Sequence, residues 1–298
     1  MKTKAWKKHD YGNVCIVEFE TDDMSVLNAF PAGYYMEKGL CRAGEQKEEQ
    51  VGNVLIENRS SDYLLFTDMD ILVGAKQNRV VNISTLVKPH SESNLEVSCV
   101  EQHRWDTTGH GFRPSERTME PDLRSRKLGN ISSKVETRRY RSELQCEIWG
   151  EIQKRIRPEH SINPTANYAL YLHEEEQSRQ RVSLPSFQPD TNCNGLAIFR
   201  DGKPLLIEIF GNTALYQYYF RRIIDHFLHS AGPKRTDPLS EGQVRRIIEK
   251  ETGMCRFFPS VPGKNGTGEL WMMAGEEKQG FELGFGGERV HEVVFFGE

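Results

Sequence analysis

The chain has no long apolar run, no closely spaced cysteine pair and no excess of positive charge. Its six cysteines, Cys15, Cys41, Cys99, Cys146, Cys193 and Cys255, are scattered over 298 residues with no Cys-x-x-Cys among them. No His-Glu-x-x-His appears either, and spacing nominates no set of three ligands for a metal. No stretch approaches the ~20 apolar residues of a membrane helix. The opening, MKTKAWKKHDYG, has no apolar segment after its lysines, so no secretory leader is expected. These absences lead us to expect a soluble cytoplasmic protein with reduced thiols and no membrane partner. The 39 Lys and Arg against 43 Asp and Glu give a net charge of -4. That balance argues against a general nucleic-acid binder. Neither Gly-x-x-x-x-Gly-Lys-Ser/Thr nor a Gly-x-Gly-x-x-Gly opening a helix is present, so P-loop and Rossmann enzymes are disfavoured and no cofactor is called for. There is no long repeat and no low-complexity tract.

What the chain does have is a dense polar punctuation between Ile71 and Trp105, ILVGAKQNRVVNISTLVKPHSESNLEVSCVEQHRW. Two strand-like runs, Arg79 to Val87 and Leu95 to Val100, are each bordered by a polar cluster. The first cluster is Gly74 to Arg79 and the second is Cys99 to Trp105. A strand end carrying Gln, Asn, Arg, Glu, His and Trp together reads as the rim of a binding site.

The run GAKQNRVVN, then Ser-x-Leu-Val-Lys-Pro, then VSCVEQHRW, resembles a family associated with ADP-ribosylglycohydrolases and with a rhodanese-like branch of the phosphatase superfamily. GLAIFRDGKPLLIEIFG, residues 195–211, is a second, weaker match. The resemblance covers about 45–230 and implies an association with ADP-ribose and NAD metabolism without assigning a reaction.

The rest of the pattern predicts an α+β fold: a strand-rich, antiparallel sandwich or barrel-like N-terminal half, packed with helices, a hairpin and a C-terminal β-meander. One domain over 1–298 is expected, with a family-like core over about 45–230 and a β-rich extension over about 237–298. A strand is expected over 14–19, a short helix capped by Asp22-Asp23 and holding Val26, Leu27 and Phe30, a loop over 42–50, and two strands around the turn 58–62. Residues 106–131 are polar, with prolines and glycines, and read either as a cover over the site or as a plain surface loop. A long helix over 133–156 carries Leu144, Ile148, Ile152 and Ile156 on its buried face, and 164–180 and 237–252 read as further helices. Asp201-Gly202 predicts a type I′ turn between strands 196–200 and 204–210. Asn212 or Thr213 would cap the next helix. A meander over 269–274, 280–285 and 289–296 turns at Gly286-Gly287.

For chemistry, Gln77 and Arg79 share a strand face, with Asn78 between them. Amide groups and a guanidinium fork suit phosphate, carboxylate or ribose, and they also suit a polar bend. In the second cluster, Cys99 is a candidate nucleophile or a small buried hydrophobe. Glu101 is a candidate general base, or it orients Arg104. Arg104 is a candidate anion binder, and Trp105 a stacking surface. His103 and His110, and the pair His226 and His229, read as solvated or capping side chains. Gln145 and Trp149 either line the pocket or pack. Glu208, inside an apolar run, is either a buried acid with a raised pKa or a solvent-facing carboxylate.

Two functions follow. The first is an enzyme or binding domain for a small anionic, nucleotide-like ligand. The second is a non-catalytic binding or scaffold protein in which the same residues lock the sheet. Whether the chain is an enzyme stays open at this level, as does its oligomeric state, a homo-oligomer included.

Overall fold

In the computed structural model, Val14–Thr21 (β2) pairs on both edges and is largely buried along its length. The structure describes residues 1–45, 52–104, 109, 111–134, 140–156, 163–179, 184–234, 239–252, 267–274 and 277–297. The chain divides into two compact units. One comprises Met1–Ala29, Ser183–Ser260 and Gly268–Glu298, and the other Phe30–Val182 and Val261–Thr267.

The first unit is built on a seven-stranded antiparallel sheet, β1-β2-β12-β13-β16-β15-β14. Its strands are Thr3–Tyr11 (β1), β2, Gly195–Arg200 (β12), Lys203–Phe210 (β13), Glu269–Ala274 (β14), Lys278–Phe285 (β15) and Glu288–Phe296 (β16). The expected hairpin is present: Asp201 (φ 48°) and Gly202 (φ 78°) take the two left-handed positions of its turn. The expected meander is present too, with Gly286 and Gly287 at positive φ. Thr213–His229 (α5) begins where Asn212 Oδ1 accepts from Leu215 N at 3.0 Å. Glu241–Glu251 (α6) begins at a Ser240–Gln243 capping box. Successive residues of a strand face opposite ways. Val17 and Phe19 therefore pack with Val244 and Ile248 of α6, while Glu18 between them accepts from Tyr216 of α5.

Lysine-rich β1 was not anticipated as a strand. It occupies the sheet edge, where charged side chains are compatible with pairing on one side only. The helix expected after Asp22 is absent. Asp22 accepts from Lys2 N at 2.6 Å and Asp23 pairs with Arg289, so neither aspartate caps a helix, and Val26 is 90% exposed. Ala29–Pro31 (β3) follows, and helix Ala32–Glu37 (α1) starts after Pro31, whose fixed φ suits a helix entrance.

The second unit holds a closed six-stranded barrel, β10-β5-β4-β11-β7-β8, so the barrel-like alternative of the sequence reading is the one realised. Its strands are Cys41–Gly44 (β4), Asn53–Asn58 (β5), Asp70–Gly74 (β7), Arg79–Val81 (β8), Ser91–Cys99 (β10) and Gly111–Thr118 (β11). Tyr63–Phe66 (β6) and Thr85–Val87 (β9) join β3 in a small separate sheet. The run Arg79 to Val87 is thus two strands rather than one, because Asn82 and Ser84 turn inward to Ser98 and Asp68. The expected loop 42–50 begins as β4; 46–51 lie outside the described residues.

Residues 111–131 correct the loop reading. They form β11 and most of the helix Pro121–Lys134 (α2). The helix was concealed because its buried face, Leu123, Arg124, Lys127, Leu128 and Ile131, includes two cations. Apolar periodicity fails where a core position is charged. The long helix over 133–156 is realised as Tyr140–Arg155 (α3), with Leu144, Ile148 and Ile152 buried. The helix expected over 164–180 is Tyr168–Arg179 (α4). No helix of the described residues is long and apolar enough to cross a membrane.

Candidate functional site

Register places the two polar motifs together. Cys99 on β10 is the direct partner of Arg79 on β8, where these strands close the barrel. Arg79 is 1% exposed. Its Nη1 donates to Gln77 Oε1 at 2.9 Å and to the Cys99 sulfur, and the Cys99 thiol donates to Gln77 Oε1 at 3.1 Å. The Gln145 side chain on α3 bonds both backbone groups of Cys99, accepting from its N at 2.7 Å and donating to its O at 2.9 Å. That bond pair fixes the end of β10, so Gln145 packs against the strand. Burial pushes the Cys99 thiol up to about 11; nearby Arg79 opposes this and Glu45 adds to it. At neutral pH the sulfur is a protonated thiol.

The other side of Arg79 is different. Its Nε is buried with no hydrogen-bond partner among the described residues. Its Nη2 faces the Glu45 carboxylate at 3.9 Å, beyond hydrogen-bond distance. Nε and Nη2 form the side-on fork that matches a carboxylate or phosphate in two parallel bonds.

Asn78, Glu101 and Arg104 form the adjoining part of the cluster, and here bonding is saturated. Glu101 Oε1 accepts from Thr165 Oγ1 at 2.9 Å and Asn167 Nδ2 at 3.2 Å. Glu101 Oε2 accepts from Asn78 N at 3.3 Å and pairs with Arg104 Nη2 at 2.8 Å. A carboxylate offers about four lone-pair sites, and all four are engaged. Arg104 also donates to Ala75 O at 2.7 Å and Gly74 O at 3.3 Å. Ala75 is left-handed at φ 45°. Such a residue stores roughly 1–3 kcal/mol of strain and persists only where its surroundings hold it. Arg104 and Asn78, whose Oδ1 accepts from Gly74 N at 3.0 Å, hold this turn.

Among the other candidates, His103 is exposed at the cluster edge, while Trp105 and His110 lie outside the described residues. Trp149 Nε1 is buried with no partner among the described residues. Glu208 is fully buried and meets His291 Nε2 at 2.9 Å, so it does not face solvent. No group of three His, Cys, Asp or Glu able to hold a metal occurs among the described residues.

Two further buried clusters escaped the sequence reading. In the barrel unit, Arg124 clamps Asp68 through Nε and Nη2 at 2.6 and 2.7 Å, and Lys127 Nζ donates to the carbonyls of Asp68 and Val81. Burial lowers the Lys127 ammonium to about 7, against the pull of Asp68. In the sheet unit, Glu18 gathers His9 Nε2 at 2.6 Å, Tyr216 OH at 2.8 Å and Asp190 N at 2.8 Å. The only sequence signal for these clusters was a charge in an apolar neighbourhood.

The class is therefore an α+β protein whose antiparallel barrel closes on a buried Gln–Asn–Arg and Cys–Glu–Arg cluster. The family model for the ARG and Rhodanese-Phosphatase-superfamily-associated Protein domain matches residues 3–295, and the chain belongs to that family. The match reaches well beyond 45–230. Comparison with curated proteins and with solved structures gave no match.

Proposed function

We propose that this chain binds a small anionic, nucleotide-like ligand of the ADP-ribose or NAD-derived class, with Arg79 as the anion receptor. One observation carries the reading: the buried guanidinium presents an Nε with no hydrogen-bond partner among the described residues, and the Glu45 carboxylate stands 3.9 Å from its Nη2. Burying a cation with only a distant counter-charge costs on the order of several kcal/mol, and an arriving oxyanion would offset that cost. The ligand class comes from the family's association with ADP-ribosylglycohydrolases.

In this reading Gln77 and Cys99 hold the far side of the guanidinium, and Asn78, Glu101 and Arg104 fix the turn beneath it. Trp105, next to Arg104 in sequence, supplies the stacking surface for a base. Glu101 and Cys99 serve as positioning residues, because one is saturated with donors and the other is a protonated thiol. The role that follows is binding.

The test is calorimetric titration and thermal shift with ADP-ribose, NAD, cyclic phosphates and nucleotides. A ligand at a hundred times its Kd stabilises by about 2.7 kcal/mol. Arg79→Lys, which keeps the charge and loses the fork, is expected to abolish most of that gain. A second reading, a non-catalytic scaffold, is favoured by the saturated bonding of Glu101. It prevails if no panel member shifts the melting temperature.

A further inference from the structure

The Glu45 carboxylate follows β4 directly and lies beside the same guanidinium. Its Oε1 is 3.4 Å from Lys76 N and 3.9 Å from Arg79 Nη2. Both separations are long for a charge-assisted contact, which normally falls near 2.7–2.9 Å. Glu101, in the same unit, shows what a committed carboxylate looks like here: its ion pair is 2.8 Å and it takes three further donors. Glu45 is also partly exposed, whereas Glu101 is buried. One carboxylate is thus built into the fold, and the other rests loosely against donors it does not fully engage.

We infer that Glu45 is an internal counter-anion for Arg79, seated where the ligand's oxyanion binds and displaced when it arrives. The inference rests on the reading of Arg79 as receptor and adds how that receptor is regulated. Its departure releases the Lys76 N–H and the Nη2 of Arg79, beside the Nε that has no hydrogen-bond partner among the described residues. Three N–H groups around one cation suit a single terminal oxyanion, a phosphoryl group or a carboxylate, better than the middle of a polyphosphate chain. Glu45 keeps a buried cation partly compensated when no ligand is bound. It also sets a threshold, because a weak anion has to outcompete a tethered one.

The experiment compares wild type with Glu45→Gln and Glu45→Ala, titrated with inorganic phosphate, acetate and ADP-ribose. Removing the competing charge is expected to tighten binding about tenfold, which corresponds to about 1.4 kcal/mol. Tightening for phosphate and ADP-ribose alone assigns a phosphoryl group; tightening for acetate as well assigns oxyanions in general. Equal affinity in wild type and Glu45→Gln would overturn the counter-anion role and leave the receptor reading standing. No binding of any probe by any of the three proteins would remove both. Should the neutral variants fail to fold, Glu45→Asp keeps the charge and shortens the reach. It is then expected to bind more tightly than wild type, and weaker or unchanged binding would count against the inference.

Discussion

Arg79 on β8 and Cys99 on β10 are register partners, and the guanidinium donates to a sulfur that is itself a neutral thiol. Burial outweighs the cation beside it, so the pair is a hydrogen bond rather than a thiolate ion pair.

Thiol reactivity follows from that relation. Cys99, Cys41 and Cys193 are buried and held above their usual range by burial, at about 11, 12 and 12. Cys146 on α3 is exposed. At pH 8, iodoacetamide is expected to label Cys146 within minutes and to leave Cys99 largely unmodified in the folded protein, read by peptide mass spectrometry. Labelling of Cys99 at the rate of Cys146 would restore it as a nucleophile.

Arg79 and Glu101 are expected to respond to substitution in opposite ways. Arg79 lacks a close carboxylate partner, so Arg79→Met removes a poorly compensated buried charge. Its unfolding free energy should change by less than about 2 kcal/mol, since the only carboxylate it faces among the described residues, Glu45, is partly exposed and is not stranded as a buried charge. The same substitution should remove ligand-induced stabilisation altogether.

Glu101→Ala leaves Arg104 without its carboxylate and takes an acceptor from Asn78 N, Thr165 and Asn167. A cost of about 3–5 kcal/mol is expected, the range for breaking a buried pair. Urea unfolding of both variants measures the contrast. A larger loss for Arg79→Met than for Glu101→Ala would reverse the assignment of receptor and lock.

Lys127 predicts a pH dependence. Its ammonium titrates near 7 in the folded protein and near 10.5 when free. Between those values the unfolded chain binds the extra proton, so stability rises with pH, by up to about 1.4 kcal/mol per pH unit. Below pH 7 both states are protonated and the dependence vanishes. Above pH 9 the buried thiols act the other way, because they keep protons that the unfolded chain releases. The window to examine is therefore pH 7–9, where the Lys127→Met variant should show a flatter urea midpoint than wild type. Parallel curves would mean that Asp68 and Asp70 hold Lys127 charged against burial and the neighbouring Arg124.

Much of the fold was legible because local chemistry agreed with the final structure. Asp201-Gly202 specified its turn, Asn212 its helix start, and Leu144, Ile148 and Ile152 the buried face of α3, each through contacts within a few residues. Illegible elements were those whose local pattern contradicted their surroundings. α2 hides two cations in its buried stripe because Asp68, more than fifty residues earlier, waits to receive them. β1 carries lysines because an edge strand needs only one partner. For the site, the sequence singled out Gln77, Asn78, Arg79, Cys99, Glu101 and Arg104, which the fold brings together, but it gave no sign of Glu45 and could not tell which groups are saturated. Glu101 is buried among four donors, whereas Glu45 is partly exposed at longer distances from Lys76 N and Arg79.

The order of residues alone determined that a hairpin turns at Gly202 and that no metal or dinucleotide motif is spelled out, while Gln77, expected on one strand face with Arg79, lies in the bend before β8. Barrel closure decided the rest. Pairing β8 with β10 brought Arg79 against Cys99, sealed Glu101 among four donors and left one edge of a guanidinium beside a loosely held carboxylate. Covalent neighbours can fix a turn, but the charge state of a buried group depends on which distant dipoles surround it, and only the folded chain brings those together.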